Sequence, residues 1–272
     1  MRINKFLANK GLGSRREIDG HIVEARVLIN GVVAKLGQLL VDGDQVQYFK
    51  QEFSYKEPSA KDDAKREGNI YIAFNKPAGV VCTCAEDEPD NIIDYLQKNP
   101  EHCLTKGLME KINANKIYPI GRLDKDSRGL ILLTNDGDLT QKLTHPKYEH
   151  EKEYLVTCEN NLDNIFLDKF SKGVEISLND EGTEIVETLP CSIRQTQANQ
   201  FVTVLKQGYK RQIREMVKAL NNRVTDIFRI RISNLALREY LTVNNKSTHN
   251  IIILDNLTEG CFIELKYSCI AH

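Results

Sequence analysis

Asp124 is the residue with the clearest capacity for chemistry, because it lies in a polar segment directly before an apolar run that ends in a tight turn. Arg122 precedes it by two residues, and residues 130–133 read Leu-Ile-Leu-Leu. A loop carboxylate between a basic side chain and the start of a buried strand can be kept ionised, oriented and partly dry, as a nucleophile or an acid/base group requires. On this chemistry alone, many classes of enzyme remain open.

A metal-dependent hydrolase or nuclease is one of these classes, because the segment contains two D-x-D pairs, formed by Asp124, Asp126, Asp136 and Asp138. A calcium loop that started at Asp124 would place Arg128 at its fifth position and Asn135 at its twelfth. Those positions need an oxygen ligand and a bidentate glutamate. We therefore expect no metal, and we interpret Asp136-Gly137 as a turn with Asp138 capping the next helix.

The composition excludes further classes. The 272 residues carry a net charge of -1 and are 41% hydrophobic, so we expect a substantial core and, for any nucleic-acid binding, local basic patches. The seven cysteines form no C-x-x-C pair, which favours reduced thiols in a cytoplasmic protein. We find no signal sequence, no apolar run that could span a bilayer, and no H-E-x-x-H or Gly-rich phosphate motif.

The first fifty residues predict a small basic domain, with eight Lys and Arg residues against five acids. Ser14 and Glu17 form a capping-box pattern, so a helix should begin at Arg15, with Arg16 also in its first turn. Cations are disfavoured at that position by the helix dipole, which points to an outside phosphate, although a pair of solvated arginines explains the pattern equally well. Asn30-Gly31 predicts the turn of a β-hairpin.

A larger domain should follow a linker. Residues 50–69 are charged and lack periodic apolar positions, which is typical of linkers. Beyond them the pattern predicts strands at 70–74, 129–135, 152–159, 185–195, 200–207 and 251–254, and helices at 138–144, 162–171 and 210–220. We expect an α+β fold: a helix-helix-hairpin domain at 1–49, and a domain at 70–272 with a mixed, mainly antiparallel sheet flanked by helices.

Three segments together resemble the pseudouridine synthases that modify ribosomal RNA. They are residues 121–137, which read GRLDKDSRGLILLTNDG; residues 152–156, KEYLV; and residues 207–214, QGYKRQIR. Residues 75–79, NKPAG, are similar to the family's first motif, for which the resemblance implies a structural role. The pattern of residues 2–46 resembles the RNA-binding domain named after ribosomal small-subunit protein four, with Ala25 where that domain usually has glycine. The turn at Ala25 should therefore be reshaped.

The resemblance implies a reaction that needs neither cofactor nor metal: the glycosidic bond of a uridine is broken, the base rotates, and carbon 5 joins the ribose. Asp124 corresponds to the catalytic aspartate, and attack on the ribose, attack on the base and assistance to the departing uracil all remain open. Arg122 is the candidate to fill the space of the flipped nucleotide or to hold a phosphate. Tyr154 would stack on the uracil, Ile213 would line the pocket, and Arg214 would pair with Asp124 and keep it ionised.

The expected substrate is large-subunit (23S) ribosomal RNA, with small-subunit RNA or transfer RNA next, and Lys5, Ser14, Arg15 and Arg16 are the expected RNA-binding residues of the first domain. The alternative is a non-catalytic RNA-binding or ribosome-assembly protein. Retention of Asp124, Tyr154 and Arg214 together argues against that alternative. We expect a monomer without a membrane partner. Residues 238–255 look like an insertion that extends the core.

Overall fold

The computed structural model describes residues 1–57, 68–85, 87–179, 181–238 and 251–270. They form two compact units, residues 1–68 and 69–272. The second unit contains most of the secondary structure, and the α+β fold with a mainly antiparallel sheet is confirmed.

The first unit packs two helices on a small sheet. The elements are α1 (Ile3–Asn9), α2 (Arg15–Val23), β1 (Val27–Ile29), β2 (Val32–Val33), β3 (Gln45–Tyr48) and β4 (Gln51–Ser54), with antiparallel strands in the order β2-β1-β3-β4. The predicted capping box is present, because Ser14 Oγ accepts from the Glu17 N–H (3.2 Å) and Glu17 Oε2 accepts from the Ser14 N–H (2.6 Å). Asn30 and Gly31 form the predicted turn, both with positive φ.

Two expectations for this unit need correction. Ala25 keeps the left-handed conformation that glycine would adopt (φ 57°), so the turn is strained and not reshaped. The interpretation of residues 50–69 as a linker is wrong at its beginning, because Gln51–Ser54 form β4 and Tyr55 is buried against the ring of Phe6. Phe53 and Tyr55 alternate with polar residues as a strand requires, and the charged composition concealed this period. Residues 58–67 lie outside the described residues.

The large sheet of the second unit has ten strands in the described part of the chain. The strands are β5 (Tyr71–Lys76), β6 (Tyr118–Ile120), β7 (Arg128–Thr134), β8 (Lys152–Cys158), β11 (Ser192–Gln197), β12 (Gln200–Leu205), β13 (Val224–Ile232), β14 (Leu235–Leu237), β15 (Ile252–Leu254) and β16 (Phe262–Glu264). They follow the order β11-β12-β8-β13-β7-β5-β16, with β6 beside β7, β14 beside β13, and β15 beside β14. Only β13–β7 and β14–β15 are parallel pairs among these.

Five α-helices of the described residues belong to this unit: α3 (Ile92–Lys98), α4 (Leu108–Ala114), α5 (Gly137–Thr144), α6 (Asn164–Lys172) and α7 (Gln212–Ala219). Three apolar clusters hold them to the sheet. One lies beneath α3 and α4, one beneath α5 and the chain end, and one beneath α6 and α7. Ile213, Met216 and Val217 are the buried stripe of α7, as the helical period predicted.

Two details of the second unit differ from expectation. Residues 185–195 are not one strand, because Pro190 separates β10 (Ile185–Glu187), which pairs with β9 (Glu175–Ser177), from β11. Asp136, not Asp138, caps α5, since its carboxylate accepts from the N–H groups of residues 138 and 139. The same carboxylate accepts from the hydroxyl of Tyr71 at 3.0 Å, which fixes the cap to β5. The strand predicted at 251–254 is confirmed as β15, but most of the insertion at 238–255 lies outside the described residues.

Candidate active site

Asp124 lies in the loop between β6 and β7, where 33% of its side chain is exposed. Two buried cations hold the main chain of this loop. Lys76 Nζ donates to the carbonyl of Lys125 at 3.3 Å, and Arg229 Nη1 donates to the carbonyl of Arg122 at 3.4 Å. The N–H of Gly79 also donates to the carbonyl of Lys125, at 2.8 Å. The backbone on both sides of Asp124 is therefore tied to the core of the unit.

Arg214, on the first turns of α7, is the ionic partner of Asp124. Its Nε lies 4.0 Å from Oδ2 of Asp124, and its Nη2 donates to Ser127 Oγ at 3.4 Å. The Arg214 side chain is only 14% exposed, and burial together with the neighbouring charge of Arg211 lowers its pKa, while Asp124 opposes that shift. The predicted pairing of Arg214 with Asp124 is present in the structure.

A cavity of about 270 Å³ opens beside Asp124. Its lining includes four of the residues predicted from the sequence: Arg122, Asp124, Tyr154 and Ile213. Binding sites for small molecules have volumes of roughly 300–1,000 Å³, so this one is of a size for a single small ring system and not for a large ligand. The loop, β8 and α7 thus bring their predicted residues to one place.

Tyr154 lies on β8 with its side chain on the same face as Val156 and Cys158, as the two-residue period of a strand predicts. Val156 and Cys158 are buried in the cluster beneath α6 and α7, whereas Tyr154 is half-buried at the edge of that cluster and lines the cavity. Arg122 is exposed at the cavity, and it forms no ion pair within the described ranges.

The predicted site residues did not include four further cations that line the cavity: Lys152, Lys206, Arg211 and Arg229. Lys152 stands two residues before Tyr154, so the strand period alone could have placed both on one face. No local pattern identifies Arg229, whose position depends on how β13 pairs with its neighbours.

Lys76 is completely buried at the end of β5, which extends two residues beyond the strand predicted at 70–74. Its Nζ donates to the carbonyls of Pro77 (2.9 Å) and Val80 (2.8 Å) in addition to that of Lys125. Burial lowers the pKa of Lys76 to about 8, and the charge of Arg229 acts in the same direction. Its contacts are all with main-chain oxygens, which agrees with the structural role expected for this segment.

The four residues predicted to bind RNA in the first unit lie on or beside its two helices. Arg15 and Arg16 are exposed in the first turn of α2, Lys5 is half-buried on α1, and the hydroxyl of Ser14 is engaged as the N-cap. This cap gives Ser14 the structural role that the capping-box pattern predicted. An RNA contact by any of the four stays a prediction.

The described residues contain neither a metal site nor a membrane-spanning helix. No group of three or more His, Cys, Asp and Glu side chains in them is arranged to hold a metal ion. No helix in them is long and apolar enough to cross a membrane.

Comparison with known proteins decides the family. Residues 70–219 match the family described as RNA pseudouridylate synthase, and residues 1–46 match the S4 domain. The chain belongs to the RNA pseudouridylate synthase family. It is therefore an enzyme that isomerises uridine to pseudouridine in RNA, and the resemblance seen in the three sequence segments is confirmed.

Individual relatives agree with this assignment. The chain is 38% identical to the dual-specificity RNA pseudouridine synthase RluF of Salmonella typhi, over 87% of this chain and 71% of the relative. It is 29% identical to the ribosomal large subunit pseudouridine synthase B of Bacillus subtilis, with 87% of each chain covered. A crystal structure of a pseudouridylate synthase matches with a TM-score of 0.59 and 25% identity, over all of this chain and 98% of the other.

Proposed function

We propose that this pseudouridine synthase acts on large-subunit ribosomal RNA, with Asp124 as the catalytic carboxylate. The observation that carries the proposal is the position of Asp124, at a cavity of the size of one base and 4.0 Å from the guanidinium of Arg214. The name of the Bacillus subtilis relative supports the large ribosomal subunit as the source of the substrate, whereas the Salmonella typhi relative is described as dual-specificity. Transfer RNA and small-subunit RNA are the alternatives. A ribosomal substrate places the activity in the cytoplasm.

The cavity residues divide the work between binding and chemistry. A uridine in folded RNA reaches a cavity of this size only when its nucleotide is flipped out of the helix. Tyr154 and Ile213 provide apolar surfaces against which the flipped uracil stacks, and exposed Arg122 occupies the space that the nucleotide leaves or holds a phosphate. Arg214 pairs with Asp124 and holds its carboxylate at the edge of the cavity, where it can attack the substrate.

Tritium release tests the reaction and the residue together. Only joining through carbon 5 of uracil expels a label at that carbon, so we expect wild-type protein to release tritium from labelled large-subunit RNA. We expect no release by Asp124→Asn, whose side chain has the same shape but no charge. Asp126→Asn is the matched control, because it removes a carboxylate two residues away on the same loop.

The choice of RNA discriminates between the remaining alternatives. Large-subunit, small-subunit and transfer RNA are assayed separately with the same enzyme. Release from transfer RNA as well would show dual specificity, and release from small-subunit RNA alone would overturn the proposed substrate. A folded wild-type protein that binds all three without releasing the label would support the non-catalytic alternative.

We propose that the first unit docks the RNA through Arg15 and Arg16, which are exposed and form no ion pair among the described residues. The RNA association constant K falls as salt is added, and each lost phosphate contact makes the slope of log K against log salt concentration less steep by about 0.7–0.9. The double change of both arginines to Ala should therefore reduce the slope by roughly 1.5. Lys169 and Lys172, changed together to Ala in α6, are the control. An unchanged slope in the arginine variant would remove these residues from the interface.

The expectation of a monomer stays a prediction.

A further inference from the structure

A β-bulge in β13 places two of its arginines on opposite faces of the large sheet. Arg229 is in register with Tyr154 of β8, whereas Arg231 is in register with Glu153, and the register shifts between the two arginines. Residues in register across antiparallel strands point to the same face, and successive residues of a strand point to opposite faces. Arg229 therefore lies on the cavity face with Tyr154, and Arg231 lies on the other face with Glu153.

Arg231 and Arg229 differ in how their charge is compensated. Nε of Arg231 lies 2.7 Å from Glu153, and its Nη2 lies 3.0 Å from Glu151. Arg229 has no carboxylate at ion-pair distance among the described residues. It donates to the carbonyls of Leu130 (2.6 Å) and Arg122 (3.4 Å), and its Nη2 has no hydrogen-bond partner there.

Lys152 is the second uncompensated cation on the cavity face. It stands two positions before Tyr154 on β8 and lines the same cavity. Its ammonium donates one long hydrogen bond, to the carbonyl of His150 at 3.4 Å, and forms no ion pair with any described residue. Burial lowers the pKa of Lys152, and the positive charge of Arg229 lowers it further, so the two side chains are close enough to repel each other.

Such a pair is unfavourable in the free protein. Arg229 is only 2% exposed and Lys152 is half-buried, and buried charges without partners lose hydration that nothing replaces. The same arrangement favours any negative charge that develops inside the cavity, because fixed charges in a poorly solvated site act strongly and need no reorganisation.

We propose that Lys152 and Arg229 form a cationic wall that stabilises the negative charge of the uracil after its bond to the ribose has broken. This proposal rests on the proposed function. When the bond between N1 and C1′ breaks, both electrons leave with the base, which becomes an anion with its charge shared among N1, O2 and O4. The electron deficit at C1′ is met by Asp124, through a bond to its carboxylate or through loss of a ribose proton to it. After rotation of the base, C5 donates an electron pair to C1′ as the bond from C1′ to the Asp124 carboxylate breaks or, on the other route, as Asp124 returns its proton to the ribose. The C5 proton then passes to water, and N1 takes up a proton from water, which completes the isomer.

An electron-withdrawing substituent on the base tests this role separately from a structural one. Fluorine at C5 stabilises the uracil anion by itself, so bond breaking should depend less on the wall. The probes are large-subunit ribosomal RNAs transcribed with uridine or with 5-fluorouridine. Enzyme in excess gives the single-turnover rate, which separates chemistry from binding. Conversion is followed by liquid chromatography of the RNA fragment that contains the target nucleotide, because uridine and pseudouridine have the same mass. 5-Fluorouridine has no C5 proton to lose, so the quantity measured on that RNA is the disappearance of the starting fragment.

We expect Lys152→Gln to lower the rate on uridine RNA by about 100-fold, the effect of removing one electrostatic donor. On 5-fluorouridine RNA the loss should be about 10-fold or less, and Lys152→Arg, which keeps the charge, should retain most of the rate on both. Lys172→Gln is the control, because Lys172 is exposed and paired with Asp168 on α6. Arg229→Lys is the second variant, and it too should lose less on 5-fluorouridine RNA.

Each outcome of this experiment is decisive. Equal losses on the two RNAs would assign Lys152 and Arg229 a structural role, and no loss would show that they do not affect the reaction. Either result would overturn the cationic wall. Failure of Lys152→Gln to fold, judged by circular dichroism, transfers the comparison to Arg229→Lys with the same criterion. A wild-type protein that forms no pseudouridine in the uridine RNA would overturn the proposed function, and the wall with it.

Discussion

Gly129 is the position at which a single methyl group should do most damage to the second unit. It lies at the start of β7, where this strand runs parallel to β13 with Gly129 in register with Arg229. Its φ is +110°, and a Cβ built there would lie 2.6 Å from the backbone nitrogen of Arg229, nearer still to the Arg229 carbonyl oxygen, and 2.8 Å from the Phe228 ring. The atoms in the way are mainly backbone, so they cannot move aside without separating the strands.

The magnitude follows from two terms. A non-glycine residue in this region of φ costs about 1–3 kcal/mol. Displacement of a packed neighbour costs about another 1–3 kcal/mol. We therefore expect Gly129→Ala to lower the free energy of unfolding by roughly 4 kcal/mol, which is a large part of the 5–15 kcal/mol typical of whole domains.

Urea unfolding followed by circular dichroism measures the loss, and hydrogen exchange of peptides from β7 and β13 assigns it to the second unit. Gly208→Ala is the matched control, because a Cβ at Gly208 would meet nothing within 4 Å. The control should lie within about 0.5 kcal/mol of wild type. A Gly129→Ala protein within 1 kcal/mol of wild type, with unchanged exchange in both strands, would refute the reasoning.

Three further predictions concern buried charge and backbone strain. Burial lowers the pKa of Lys76 to about 8 from its ordinary 10.5. Between these pH values the unfolded chain binds more protons at Lys76 than the folded chain does. The contribution of Lys76 to stability therefore rises with pH in this range, by at most about 1.4 kcal/mol per pH unit. The difference in unfolding free energy between wild type and Lys76→Met should be flat below pH 7 and change between pH 8 and 10, and a flat difference throughout would contradict the shift. Glu153→Gln removes one of the two carboxylates that pair with Arg231 and should cost about 1–3 kcal/mol, because Glu151 still compensates the charge, and the double change Glu153→Met with Arg231→Met should recover part of that loss in thermal unfolding. Ala25→Gly should stabilise the first unit by about 0.5–1 kcal/mol, because relief of left-handed backbone strain exceeds the entropy that glycine adds to the unfolded chain. A lower midpoint of unfolding for this variant would show that Ala25 is not strained.

The sequence was sufficient for elements whose apolar period is regular and whose ends carry turn or capping residues. The capping box at Ser14, the Asn30-Gly31 turn and the stripe of α7 are of this kind, and all three are local. Asp124 could be located because its loop and β7 are contiguous in the chain, so one segment of sequence contained both the carboxylate and the strand that positions it.

Helices with few buried side chains, and a strand interrupted by charged residues, were not predicted. α3 and α4 are each seven residues long and bury only two side chains each, which is too little for a clear helical period. The pattern also failed to show β13, the longest strand of the described residues, because Asp226, Arg229 and Arg231 interrupt its apolar positions. These charged residues are accommodated by partners distant in sequence, such as Arg128 for Asp226 at 2.8 Å. Local periodicity contains no information about such partners.

The described structure assigns the orientation of Asp124 and the compensation of its charge to different residues. β7 lies between β5 and β13 in the sheet, and each neighbour contributes one buried cation that donates to a main-chain carbonyl of the Asp124 loop. Neither Lys76 nor Arg229 contacts the carboxylate at ion-pair distance, whereas Arg214 on α7 does. Loss of Arg214 should therefore remove the counter-charge of the carboxylate and leave the loop in place. Loss of Lys76 should release the loop and leave the ion pair without a fixed geometry. The position of the Asp124 carboxylate consequently depends on strand register as well as on its own neighbours. Gly129 matters to the site because it lets β7 lie close to β13, the strand that carries Arg229.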